Sequence, residues 1–168
     1  MVGRGPLPAP GGQLKITILA IAKLGRTPEV GLVKDYAERA TASGRALGLG
    51  PVDIVELESR KPGKAAEGEL LLEHLGDGAY VIACDEHGKA HTSRAFATRI
   101  ARLRDDGARK LTIVIGGADG HSPELLARAD ETLAFGVQTW PHALARVMLA
   151  EQVYRAVTIL AGSPYHRD

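Results

Sequence analysis

Two groups of residues near the carboxyl end carry side chains suited to chemistry. The chain closes on Tyr165-His166-Arg167-Asp168. An aromatic ring, a titratable imidazole and a guanidinium in a row can stack on a base and grip a phosphate. The plainer alternative is a charged, frayed terminus, although Pro164 stiffens the exit. The second group is His142, directly after Trp140-Pro141 at the start of a long helical pattern, with Arg146 one turn further on. Alone, His142 reads as a capping or surface histidine. Arg146 falls in line with Ala150, Val153 and Val157, inside an apolar stripe. It also sits close to a helix N-terminus, where the dipole disfavours a cation. A guanidinium there needs an anion. That anion is either a carboxylate of the protein, in the same chain or across a dimer, or a bound phosphate or carboxylate.

Upstream, Gly116-Gly117-Ala118-Asp119-Gly120 ends an apolar run. It is not the dinucleotide fingerprint, because Ile115 stands where a glycine is required, and no Lys-Ser/Thr follows to make a phosphate loop. It is either a tight turn or a place where backbone approaches a ligand closely. His87 and His91 are separated by the turn residues Gly88 and Lys89, with no cysteine cluster nearby, so no metal site is expected. Cys84 reads as a small buried hydrophobe. No G-x-S-x-G marks a nucleophilic serine. The basic loop Arg60 to Lys64 reads as solvated.

Strands and helices alternate around these residues. Leu14 to Ala22 is a β-branched apolar run too continuous for a one-faced strand. Thr27-Pro28 opens a helix that Gly44 closes near Ser43. Val52 to Glu58 is a second strand, and a helix follows up to Gly76. Tyr80 to Asp85 is a third strand. Thr92 or Ser93 caps a helix with Arg99, Arg102 and Arg104 on its exposed side. Lys110 to Gly117 is a fourth strand. Ser122-Pro123-Glu124 starts a short helix, Glu131 to Gly136 is a weaker fifth strand, and the long helix spans about His142 to Leu160. The alternation predicts a single α/β domain, a mostly parallel sheet with helices on both faces. Ligands of such sheets sit beyond the carboxyl ends of strands. That selects the loops CDEHGK, GGADGH and GVQTWPH.

The long helix is apolar almost all round, apart from a strip of Glu151, Arg155 and Thr158 in which Glu151 and Arg155 make a favourable pair. Such a helix needs burial on more than one side. Its own sheet covers one side; the other predicts a second subunit and so a homodimer.

Composition bounds the rest. At 168 residues, 45% apolar, the chain is one domain with a real core. Residues 1–13, rich in Pro and Gly, read as a disordered lead-in to a single domain at 14–168. A single cysteine rules out an intrachain disulfide and fits a reducing cytoplasm. No stretch approaches the roughly 18 to 20 apolar residues of a membrane span. A formal charge of +1 leaves nucleic-acid binding to a local patch.

The combination IGGADG, TWPHALARVMLAEQVYRA and closing PYHRD resembles the RlmH (YbeA) family of SPOUT-class methyltransferases, and the likeness extends over the chain after the lead-in. It implies a C-terminal trefoil knot, a homodimer, S-adenosyl-L-methionine as cofactor, and methylation of N3 of a pseudouridine in 23S rRNA on the assembled ribosome. On the matching positions it puts the cofactor against Cys84, Asp85, Gly116, Gly117, Gly136, Val137, Gln138, Thr139, Trp140 and Pro141. RNA contacts and catalysis fall to His142, Arg146, Tyr154, Arg155, Tyr165, His166 and Arg167. His142 or His166 would take the N3 proton, and Arg146 or Arg167 would stabilise the anion. The family pattern has GGPEG and HPYHRE where this chain has Ala118, Asp119, Ser163 and Asp168; each change keeps backbone or charge character. The rival from another class is a non-catalytic ribosome-binding factor with the same fold. An α/β enzyme for another nucleotide is disfavoured by the missing phosphate-loop motifs.

Overall fold

The computed structural model describes residues 12–168. Most of the expected lead-in, 1–13, therefore lies outside the described residues; of its last two, Gln13 donates its Nε2 to the Gly50 carbonyl at 2.6 Å. The elements run β1 (Leu14–Ile21), α1 (Pro28–Gly44), β2 (Leu49–Leu57), α2 (Lys64–Glu73), β3 (Tyr80–Cys84), α3 (Ser93–Asp105), β4 (Lys110–Ile115), α4 (Pro123–Arg128), β5 (Glu131–Leu133) and α5 (His142–Ala161).

All five strands are parallel, in the order β2-β1-β4-β3-β5. The middle strands are apolar on both faces because helices cover both. On one face Ile16, Ile18 and Ile113 pack under α1, α3 and α5, meeting Ala37, Ile100, Leu149 and Val153. On the other, Leu19, Val81 and Val114 meet Leu71 of α2 and Leu125 of α4.

This layering explains the long helix differently. α5 packs against α1 on one side and α3 on the other. Leu149, Val153 and Val157 are fully buried within the chain, and Val147, Tyr154, Ile159 and Leu160 pack on that core. Its all-round apolar character is thus largely used by its own neighbours, so that pattern does not itself call for a second subunit.

Smaller departures have local causes. α1 does not end on a left-handed Gly44 (φ −80°); the chain continues through a 3-10 turn, Arg45–Leu47, and Gly48 takes the left-handed φ of 70°. Gly44 is small for packing, since a Cβ there would lie 2.6 Å from the Leu49 carbonyl oxygen. α2 stops at Glu73, before Gly76, and β4 and β5 end before their glycines. Thr92, not Ser93, caps α3 by accepting from the Ala95 amide. Of the three arginines expected on the open side of α3, only Arg102 is exposed. Arg99 pairs with Glu131 at 2.7 Å, and Arg104 donates to the Leu47 carbonyl at 2.8 Å.

Candidate functional site

Three neighbouring strands, β4, β3 and β5, deliver their carboxyl ends to one rim, and their loops enclose a cavity of about 280 Å³. The loop after β3 turns on Asp85, whose carbonyl accepts from Gly88 N and whose Oδ1 accepts from His87 N. The loop after β4 closes with Gly120 N donating to the Gly117 carbonyl at 3.1 Å. The loop after β5 is pinned to its neighbours. Asp85 N donates to the Leu133 carbonyl at 2.9 Å, Thr139 Oγ1 to Glu86 Oε2 at 2.8 Å, and Trp140 Nε1 to the Phe135 carbonyl at 3.2 Å. Gly136 supports this course with a φ of 97°, which side chains rarely adopt.

Cys84, Asp85, Gly116, Gly117, Gly136, Gln138, Thr139 and Trp140 all line the cavity, and so does His142. Two expected residues do not. Val137 turns its side chain outward, 99% exposed, and Pro141 is spent at the start of α5, its carbonyl accepting from Ala145 N. Burial pushes the Cys84 thiol up to about 12, so it stays protonated and lines the wall without acting as a nucleophile.

Arg146 is elsewhere. It is fully buried and lines a separate cavity between α1 and β2. Nη1 donates to Glu56 Oε2 at 2.7 Å, and Nη2 donates to the carbonyls of Ile21 and Ala22 at 3.0 Å each. The anion it requires is thus Glu56 of the same chain. Burial lowers its pKa and Glu56 opposes that shift. The same donors hold the end of β1, where Ala22 has the unusual φ of 77°. Within the chain, then, Arg146 does not join His142 at the cavity; it ties α5 to β1 and β2.

The tail is docked, not frayed. Tyr165 donates its hydroxyl to Glu151 Oε1 at 3.0 Å and stands edge-on to Tyr154, with Arg155 over its ring. Arg155 also donates to Glu151 and to Nδ1 of His166 at 3.1 Å. A guanidinium only donates, so Nδ1 accepts and the His166 proton sits on Nε2. From there it reaches Asp168 Oδ1 at 3.0 Å. Arg94 grips Asp168 with two bonds of 2.7 Å. Arg94, with help from His166, holds the Asp168 carboxyl at about 2. Arg167 is exposed. None of the tail residues lines the cavity in its own chain. Between them lies a groove of about 420 Å³ walled by Tyr36, His91, Met148 and Glu151, which shares Leu133 to Gly136 with the cavity.

Three partners escaped the sequence. Glu56 is one of two carboxylates on β2, with Asp53. Arg94 looks like any helix-start arginine. His121 follows the glycine turn and, unlike the others, lines the cavity; its only signal was membership of the selected loop GGADGH.

A parallel sheet whose cavity lies beyond three strand ends, walled by glycine backbone and lacking a phosphate loop, defines a class: residues 14–166 match the family model described as "Predicted SPOUT methyltransferase". A solved structure described as a probable methylase family protein from Haemophilus influenzae Rd KW20 shares the fold, with a TM-score of 0.52 and 11% identity, covering 92% of this chain and 70% of that one. Much closer are proteins named ribosomal RNA large subunit methyltransferase H. That of Caulobacter vibrioides is 72% identical over 93% of this chain and 100% of its own, and that of Caulobacter sp. strain K31 is 72% identical over 92% and 100%. The chain belongs to the RlmH family of SPOUT methyltransferases. Among the described residues no helix is long and apolar enough to cross a membrane, and no three His, Cys, Asp or Glu side chains gather as a metal site.

Proposed function

We propose that the chain methylates N3 of a pseudouridine in 23S rRNA of the assembled ribosome, with S-adenosyl-L-methionine as methyl donor, and that it works in the cytoplasm as a knotted homodimer. The observation that carries this reading is the convergence of Cys84, Asp85, Gly116, Gly117, Gly136 and Trp140 on one cavity with His142. The relatives' names, over nearly the whole chain, support the RNA class.

The cavity suits the cofactor. Its walls are mostly backbone and uncharged side chains, and Asp85 and Glu86 supply carboxylates for a cationic ligand. When bound, the cofactor supplies an electrophilic methyl group on a sulfonium. The chain's work is then to place the base in line and manage one proton. His142, on the cavity wall, takes the N3 proton. Trp140 and the loop Gly136 to Pro141 shield the reacting atoms from water. Arg167, exposed and without a carboxylate partner among the described residues, faces phosphate or the developing anion. Arg146 acts as a positioning residue that fixes the first turns of α5 and hence His142.

The second subunit is supported by the cavity's rim. Val137, Trp140 and Leu144 are large apolar residues left 99%, 38% and 44% exposed beside His142. In one chain the tail does not reach the cavity; a partner covering that rim would bring its own Tyr165, His166 and Arg167 to it. With a formal charge of +1, recognition rests on the shape of the ribosomal surface more than on charge.

The test is methyl transfer to ribosomes lacking the modification, run beside protein-free 23S rRNA. Transfer to ribosomes with little to naked RNA is expected. Equal transfer to both contradicts the assembled substrate, and no transfer to either, with cofactor still bound, points to a non-catalytic ribosome-binding factor.

A further inference from the structure

His121 is a wall of the cavity that the chemistry above leaves unused. It closes the glycine turn after β4, is 9% exposed, and lines the cavity. Neither ring nitrogen has a hydrogen-bond partner among the described residues. The backbones of Cys84 and Val114 come near the ring without completing hydrogen-bond geometry. The ring also lies against the turn itself: a Cβ on Gly116 would come within 3.0 Å of Nδ1. Buried polar atoms almost always find partners, and those that do not mark a function or a bound molecule.

We propose that His121, as a neutral imidazole, is a binding residue for S-adenosyl-L-methionine, its ring nitrogens completed by polar groups of that ligand. The inference rests on the cofactor reading above. A neutral ring offers one donor and one acceptor. Desolvation lowers the pKa of His121, with Asp85 opposing the shift, so the ring is uncharged at neutral pH. The charged groups around it are Asp85 and Glu86 after β3, Asp119 in the turn, and Glu67 of α2, whose carboxylate abuts Gly117; the titratable His142 shares the cavity. Protonation would place a second cation in a cavity that takes a sulfonium. Protonation also turns the ring's acceptor into a donor, so affinity is expected to fall as pH drops through the His121 titration, at most about tenfold per pH unit.

The experiment is calorimetric titration of the full chain with S-adenosyl-L-methionine from about pH 8 to about 5.5, bracketing the ordinary imidazole range. Wild type is compared with His121→Asn and His121→Phe. Wild type is expected to lose affinity on the acid side. His121→Asn keeps a donor and an acceptor but does not titrate; it should bind within about threefold of wild type near pH 8, with a flat profile. His121→Phe should bind about tenfold more weakly throughout. Wild-type affinity in His121→Phe, or an acid loss that survives in His121→Asn, overturns the role; the latter assigns the titration to another group such as His142. If His121→Phe does not fold, the His121→Asn profile decides alone. Failure of wild type to bind at any pH overturns the cofactor reading and this inference with it, whereas unaltered variants beside a binding wild type overturn only the inference.

Discussion

Arg146 and Glu56 meet at 2.7 Å across 90 residues of sequence, and the arginine side chain is 1% exposed while the glutamate is 34% exposed. The pair joins the start of α5 to the edge strand β2, with the Ile21 and Ala22 carbonyls as further acceptors. Truncating the cation takes a donor from the Ile21 and Ala22 carbonyls and leaves Glu56 Oε2 with the Leu24 amide and solvent. Arg146→Met is therefore expected to cost about 3 kcal/mol in urea unfolding, the lower end for a broken buried pair because Glu56 keeps some solvent. Glu56→Gln keeps an acceptor oxygen but removes the anion that the buried guanidinium requires, and should likewise cost about 3 kcal/mol. An unchanged midpoint in Arg146→Met would remove the pair from the list of structural ties.

The tail's docking is read through one phenol. Burial and the neighbouring Glu151 push Tyr165 up to about 12, so its hydroxyl remains a donor to Glu151 throughout the working range. Spectrophotometric titration should show the Tyr165 step at about 12, above the ordinary tyrosine range. That step should vanish in Tyr165→Phe. It should move down toward the ordinary value of about 10 in Glu151→Gln, where the carboxylate is gone.

The same substitution at two helical glycines should have opposite signs. A Cβ on Gly68 of α2 would lie 2.2 Å from Ser122 Oγ and 2.8 Å from Ser122 Cβ. Ser122 is buried and caps α4 by accepting from Leu125 N. Overpacking of that kind costs about 1–3 kcal/mol, against about 1 kcal/mol gained in helix propensity, so Gly68→Ala should be destabilising by roughly 1 kcal/mol. Gly31 of α1 has nothing within 4 Å of its added Cβ. Gly31→Ala should stabilise by up to about 1 kcal/mol. Denaturation midpoints that move together would contradict this packing.

His121 also makes stability depend on pH. Its folded pKa lies below the ordinary 6.5 because of burial. As pH falls through about 6.5, the unfolded chain takes up a proton that the folded His121 refuses. Stability should therefore drop on the acid side of about 6.5 until the folded group titrates, and be unaffected above it. Melting temperatures across that range should fall more steeply for wild type than for His121→Asn. Parallel curves would place the titration elsewhere.

Much of this was legible in the residues because it is local. The continuous apolar runs at Leu14 and Lys110 announced strands covered on both faces, and β1 and β4 indeed pair at the centre of the sheet. The rule that ligands sit at strand ends selected the loops that line the cavity. What was not legible depends on long-range neighbours. Periodicity shows that α5 is apolar nearly all round, but not that α1 and α3 flank it. The stripe position of Arg146 demanded an anion, yet nothing in VDIVELE singles out Glu56 over its neighbours. Burial of His121, between an exposed Gly120 and a capping Ser122, leaves no periodic trace.

The central claim is that the loops after β3, β4 and β5 hold a methyl donor, and titration of the whole chain with S-adenosyl-L-methionine in a calorimeter tests it most directly. Saturable binding, displaced by the demethylated product S-adenosylhomocysteine, is the expected result. A titration with no heat at several temperatures, on chain shown to be folded, would contradict it.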